Sequence, residues 1–246
     1  MKAMVLAAGL GTRLRPLTDQ CPKALVQLED RTLLQITLER LRSIGVSEVI
    51  VNVHHFADMV IDYLHQHVNF GMHIEISREE ELLDTGGGLK KAAPFFLRDG
   101  SNDPFIVHNV DVLSAINLAE MVRRHREQDA LATLAVQHRD GSRQLLFDHA
   151  GQLCGRRNGR DAAVELIHNA APAEELAFCG VHVLSPRILT GMDEATAFSI
   201  IPTYLRLAGA GEKIIAYRID GAYWRDLGTP ASLQQASDDL KRGLLS

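Results

Sequence analysis

Lys2-Ala3-Met4-Val5-Leu6-Ala7-Ala8-Gly9-Leu10-Gly11-Thr12-Arg13 stands at the head of the chain. Residues 2–8 form a short apolar run that ends in glycines, the pattern of a buried strand feeding directly into a turn. A lysine and a short apolar run also open secretory signal peptides, but here Gly9 and Arg13 end the apolar stretch almost at once. Strand-like and helical segments then alternate. Thr32-Leu33-Leu34-Gln35 has the form of a capping box, and Leu34, Leu38 and Leu41 follow at helical spacing. Glu48–Val53 is strand-like, residues 57–65 helical, and residues 73–77, 104–109 and 130–136 are further strands, with a helix over Leu118–Glu127. Thr85-Gly86-Gly87-Gly88 reads as a flexible loop leading into a helix over residues 89–93. Such alternation predicts βαβ units: an α/β fold with a mostly parallel sheet flanked by helices. Ligands of such sheets gather at the carboxyl ends of the strands.

The pattern changes after about residue 140. Residues 145–148 and 152–156 flank His149-Ala150-Gly151 and predict an antiparallel hairpin as an elaboration of the second half. Residues 158–175 are polar and irregular, the composition of a mobile loop. Residues 177–184 and 214–218 predict strands, and residues 203–207 a helix. A last helix starts at Pro230 behind Thr229 as its cap. Without an internal repeat, low-complexity tract or linker, residues 1–246 read as one unit with halves at 1–140 and 141–246.

Composition narrows the function classes. The 246 residues are 46% hydrophobic and 23% charged, with a net charge of −5. A core can be buried, and the surface as a whole attracts neither nucleic acid nor anionic membrane. Yet residues 1–25 carry Lys2, Arg13, Arg15 and Lys23 against Asp19 alone. A basic end on an acidic protein suits a small polyanion held in one cleft. Cys21, Cys154 and Cys179 have no paired spacing, as expected of free thiols in a reducing cytoplasm. No apolar run reaches the roughly 18–20 residues of a membrane span.

The glycine loop carries the chemistry. Glycines let backbone N–H groups approach phosphate oxygens, and Arg13 adds a charge-assisted contact. A tight turn with surface cations would explain a lone glycine pair equally well. The familiar phosphate loops do not fit. No Gly-Lys-Ser/Thr triplet occurs here, Leu14 stands where a dinucleotide fingerprint needs its third glycine, and Val51-Asn52-Val53-His54 lacks the expected acid.

Ala7-Ala8-Gly9-Leu10-Gly11-Thr12-Arg13 with Pro16-Leu17-Thr18 and Pro22-Lys23 resembles the signature of the sugar-1-phosphate nucleotidylyltransferases. Leu83-Asp84-Thr85-Gly86-Gly87-Gly88, Asn109-Val110-Asp111 and Trp224-Arg225-Asp226-Leu227-Gly228-Thr229-Pro230 resemble later landmarks in the same order. Among subgroups, the N-acetylmuramate-1-phosphate uridylyltransferases of cell-wall recycling are most similar, with mannose-1-phosphate guanylyltransferase-like proteins close behind. The resemblance implies a Rossmann-like sheet of the nucleotide-diphospho-sugar transferase type, with nucleotide in the first half and sugar phosphate in the second. It implies Ala8, Gly9, Gly11, Thr12, Arg13, Lys23, Glu81, Thr85 and Gly86 at the nucleotide and Gly180 at the sugar. Arg13, Lys23 and Asp111 are implied in catalysis, and Asp111 and Asp226 as ligands of Mg²⁺. Val110 stands where the family often has glycine. The implied partners are a nucleoside triphosphate and a sugar 1-phosphate, for a cytoplasmic monomer or homodimer.

Other groups invite weaker readings. His54-His55 and His65-Gln66-His67 match no metal spacing, and Cys179 reads as a small core residue. Cytidylyl transfer to a polyol phosphate and guanylyl transfer to a molybdopterin share the opening motif. The Arg13-to-Lys23 spacing and the Trp224–Pro230 segment favour sugars. A catalytically silent nucleotide-sugar sensor would lack a catalytic group, and all four charged residues are present.

Overall fold

The opening run becomes β1 (Lys2–Leu6), and both faces of this strand are buried. Ala3 and Val5 enter one apolar cluster and Met4 the other, all 0% exposed. This computed structural model describes residues 1–167 and 173–244. After the glycine loop come β2 (Gln27–Leu28), β3 (Arg31–Thr32), α1 (Leu33–Ser43), β4 (Glu48–Val53), α2 (Ala57–Gln66) and β5 (His73–Arg78). Then follow α3 (Asp84–Lys91), α4 (Ala93–Leu97), β6 (Phe105–Asn109), β7 (Val112–Ser114), α5 (Leu118–Glu127) and β8 (Ala132–Gln137). The second half adds β9 (Arg143–Phe147), β10 (Leu153–Asn158), β11 (Val164–Leu166), β12 (Glu174–Leu184), α6 (Ile200–Gly209), β13 (Ile214–Arg218), β14 (Trp224–Asp226) and α7 (Pro230–Lys241).

A ten-stranded sheet runs β11-β10-β9-β12-β6-β1-β4-β5, with β8 joining β12 and β13 joining β8. The stretch β6-β1-β4-β5 is parallel, as the βαβ reading predicts. β12 then pairs antiparallel with β6, β8 and β9, so one long strand joins the parallel half to the antiparallel half. Helices α1, α2 and α7 cover one face and α3, α4 and α6 the other. No helix among the described residues is long and apolar enough to cross a membrane.

Local signals explain most boundaries. Thr32 caps α1 by accepting from the Gln35 N–H at 3.0 Å, but Gln35 reaches forward to Glu39 instead of back, so only half of the capping box forms. Thr229 and Ser232 form a complete box at α7. The predicted hairpin is β9–β10. Its turn is held by Asp148 Oδ1, which accepts from the N–H groups of Ala150 and Gln152 at 2.9 Å each.

Two expectations need correction. Residues 158–175 are not one irregular loop: β11 pairs with β10 and β12 begins at Glu174, while residues 168–172 lie outside the described residues. The Thr85–Gly88 segment is not a loop leading into a helix at Leu89. It is the first turn of α3 itself.

Candidate active site

The glycine loop crosses the carboxyl end of the parallel strands. Gly11 takes φ +64, and a Cβ there would lie 2.8 Å from Thr18 Cγ2 and 3.2 Å from Lys23 Cβ. Only glycine allows both that left-handed turn and that approach. Thr18 Oγ1 donates to the Gly11 carbonyl at 2.8 Å, which fixes the loop beside the segment bearing Lys23. At Gly9 a Cβ would meet nothing, so that edge of the loop faces open space.

A buried polar chain holds the loop from below. The Ala7 N–H donates to Asn52 Oδ1 at 2.7 Å, Asn52 Nδ2 donates to Glu79 Oε1 at 2.7 Å, and the Leu83 N–H donates to Glu79 Oε2 at 3.1 Å. Glu79, 3% exposed, thereby ties the end of β1 to the end of β4 and the entrance of α3. Glu79→Ala would leave two buried donors without an acceptor, at about 1–3 kcal/mol each. Urea denaturation should show a loss of roughly 2–6 kcal/mol, with Glu79→Gln losing less because it keeps one acceptor oxygen. A midpoint unchanged in Glu79→Ala would remove this residue from the scaffold.

Above this floor lies a cleft of about 490 Å³ lined by the glycine loop, Lys23, Thr85, Asn109 and Asp111. That volume suits a nucleotide-sized ligand. Val110 and Asp111 form the two-residue link between β6 and β7. Because β14 pairs antiparallel with β7, Asp226 sits opposite Val112, and the Leu227 N–H donates to the Asp111 carbonyl at 2.8 Å. Two aspartates far apart in sequence thus become neighbours on one ribbon.

Each aspartate has a cation from the loop segment. Lys23 Nζ forms an ion pair with Asp111 Oδ2, the side chains being 12% and 13% exposed. Arg13 Nη2 lies 3.8 Å from Asp226 Oδ1, with side chains 65% and 43% exposed. Exposed pairs contribute little to folding, so the second pair is free to exchange partners. Asp226 Oδ1 also accepts from the Gly228 N–H at 2.8 Å, and a side chain at Gly228 would press on both Arg13 and Asp226. No group of three or more candidate metal ligands occurs among the described residues, but two carboxylates on paired backbone segments offer the hard oxygen donors of a divalent cation that keeps several waters.

The remaining candidates fall in different places. Ala8, Gly9, Gly11, Thr12 and Thr85 line the cleft. Glu81 does not: it is exposed and shares a surface depression with Glu80, Lys90 and Thr196, while Glu79 takes the cleft position. Gly86 is buried, and its N–H donates to the Phe198 carbonyl at 2.9 Å. The amide expected at a base is therefore already used. A Cβ at Gly86 or Gly87 would overlap Phe198 or the Thr196 carbonyl, so these glycines serve close packing against the segment before α6. Gly180, at φ +73 where the β12 register shifts, backs onto Asn109 and Val112. Val110 needs no glycine, because it is not among the residues at positive φ and its N–H donates to the Leu6 carbonyl at 3.1 Å.

The nucleotidyl transferase family model matches residues 2–144. The chain belongs to that family. It is 33% identical to the N-acetylmuramate alpha-1-phosphate uridylyltransferase of Caulobacter vibrioides, over 93% of this chain and 92% of that protein. It is 30% identical to the mannose-1-phosphate guanyltransferase of Yarrowia lipolytica over 94% of this chain, but spans only 61% of that relative's length. The crystal structure of HddC from Yersinia pseudotuberculosis complexed with GMP-PN superposes with a TM-score of 0.76, covering 97% of this chain and 99% of that one at 22% identity. That similarity supports the family's mixed sheet flanked by helices.

Within this member of the family, sequence reasoning passes over Asn52 and Glu79. Asn52 does leave a signal, as the one polar residue inside Val49-Ile50-Val51-Asn52-Val53 at the ligand end of its strand. Glu79 leaves none, because it sits in an acidic run with Glu80 and Glu81 and only burial separates it. Two of the histidines make backbone contacts: His54 Nδ1–H donates to the Glu79 carbonyl at 2.9 Å, and His67 Nδ1–H to the Tyr63 carbonyl at 2.8 Å. Burial pushes the Cys179 thiol up to about 12, so it is no nucleophile.

Proposed function

We propose that the protein transfers a nucleoside monophosphate from a nucleoside triphosphate, UTP by preference, to a sugar 1-phosphate, with Mg²⁺ and release of pyrophosphate. N-acetylmuramate 1-phosphate or a related hexose 1-phosphate is the acceptor. The observation that carries this reading is the pairing of Lys23 with Asp111, both lining the glycine-loop cleft, and of Arg13 with Asp226 on the adjoining strand.

In the proposed reaction an oxygen of the sugar phosphate attacks the α-phosphorus. The bond from that phosphorus to the bridging oxygen breaks, and pyrophosphate leaves with the electron pair. The attacking phosphate is already anionic near neutral pH, so no general base is needed. Catalysis comes from positioning and charge stabilisation. The loop amides and Arg13 hold the triphosphate. Lys23, which lines the cleft, stabilises charge on the transferring group. Asp111 and Asp226 would hold Mg²⁺, which when bound neutralises phosphate charge.

The test is pyrophosphate release in a matrix of UTP, GTP, CTP and ATP against sugar 1-phosphates. UTP should be used best, with GTP second. A clear preference for CTP or ATP would place the protein in another subgroup, and tight nucleotide-sugar binding without release would make it a sensor.

A further inference from the structure

Among the described arginines from residue 139 onward, Arg139, Arg143, Arg160 and Arg242 have no carboxylate partner, and of these four Arg139 alone stacks on an aromatic ring. Arg156 pairs with Glu165, Arg157 with Glu175, Arg218 with Glu174 and Asp220, and Arg225 with Asp239. Arg139 has no carboxylate within 4.0 Å and no side-chain hydrogen bond among the described residues. Its guanidinium instead lies 4.0 Å from the centroid of the Trp224 ring. Such stacking orients a cation while leaving its N–H fork unspent.

Both partners of the stack are held by hydrogen bonds. The His138 N–H donates to Asp220 Oδ1 at 2.6 Å, and Gln144 Nε2 donates to the Arg139 carbonyl at 2.8 Å, so the backbone is held before and at Arg139. Trp224 Nε1 donates to the Cys179 carbonyl at 2.9 Å, which pins the indole against the segment carrying Gly180. Gly180 in turn backs onto Asn109 in the cleft. Trp224 and Asp226 lie two residues apart on β14 and share a face of the ribbon. Along an extended strand that separation is roughly 7 Å, about one sugar ring beyond the carboxylate near the reacting phosphates.

We infer that Arg139, held on Trp224, recognises a carboxylate carried by the sugar, so that the acceptor is an acidic sugar 1-phosphate rather than a neutral one. The inference rests on the proposed sugar-1-phosphate reaction and specifies its substrate class. A fixed guanidinium with unused donors suits a planar carboxylate, which it binds through two parallel hydrogen bonds. A neutral hexose would leave that charge unanswered.

N-acetylmuramate 1-phosphate and N-acetylglucosamine 1-phosphate differ only by the lactyl group and its carboxylate, and they form the matched probe pair. The wild type should prefer the acidic sugar in kcat/KM by roughly tenfold to hundredfold, the scale of a charged hydrogen-bonded pair. In Arg139→Met, which keeps an apolar chain over Trp224, this ratio should fall close to one, mainly through KM for the acidic sugar. Arg139→Lys should recover part of the ratio. A ratio unchanged in Arg139→Met overturns the inference, including the case where both sugars lose activity equally because Arg139 reads the phosphate or merely steadies Trp224. No pyrophosphate from the folded wild type with either sugar would instead overturn the parent reaction, and the inference with it.

Discussion

Asp111→Asn and Asp226→Asn should each lower kcat by roughly 10²–10³, the scale of losing one charge interaction at a reacting phosphate. Each change keeps shape and removes a charge the proposed cation needs. If affinity for the ion is the main defect, raising Mg²⁺ recovers part of the loss. The double variant should fall little further than either single one, because both carboxylates act through one ion. Fully multiplicative losses would mean that the aspartates work independently. The two variants should differ in stability. Asp111→Asn strands Lys23 in a mostly buried position, whereas Asp226 is 43% exposed and its arginine lies 3.8 Å away. Thermal unfolding should therefore show a lowered midpoint for Asp111→Asn and almost none of that shift for Asp226→Asn.

Lys23→Ala should reduce turnover by roughly tenfold to a thousandfold, the range expected when one transition-state charge contact is lost. Its consequences extend to the free protein, because the same ammonium neutralises Asp111 there. Removing it leaves a carboxylate that is 13% exposed without its counter-charge. The folded state should lose on the order of 2 kcal/mol, discounted from the fully enclosed case. On the proposed reading, Mg²⁺ supplies a substitute partner for Asp111. Added Mg²⁺ should then raise the unfolding midpoint of Lys23→Ala more than that of the wild type. Near-normal turnover would remove Lys23 from the catalytic set. An equal Mg²⁺ response in both proteins would separate the metal from Asp111.

Much of the fold was legible from local pattern. A strand buried on both faces reads as a nearly continuous apolar run, as β1 does after Lys2 and β4 does between Glu48 and Asn52. Thr32 and Thr229 announce helix starts because a capping bond is made within one turn of chain. The glycine loop was legible for the same reason: Gly11 is needed for a turn whose partner, Thr18, lies only seven residues on. Misreadings arose where a residue's role depends on distant neighbours. The Thr85–Gly88 segment has the composition of a loop, yet it is helical because the Phe198 carbonyl accepts from its first amides.

Local pattern alone accounts for the alternation of strands and helices, the glycine-loop turn, the hairpin and the cationic character of the first 25 residues. All of these are set by contacts within a few residues or by simple composition. Long-range packing is what brings Glu79 and not Glu81 into the cleft, buries Gly86 instead of turning it to the cleft, and makes Asp111 and Asp226 backbone neighbours. It alone placed Arg139 on Trp224 with no carboxylate beside it among the described residues. Burial, ion pairing and stacking between segments depend on how β12 joins the two halves and how β14 pairs with β7, and chain-local pattern carries no record of either pairing.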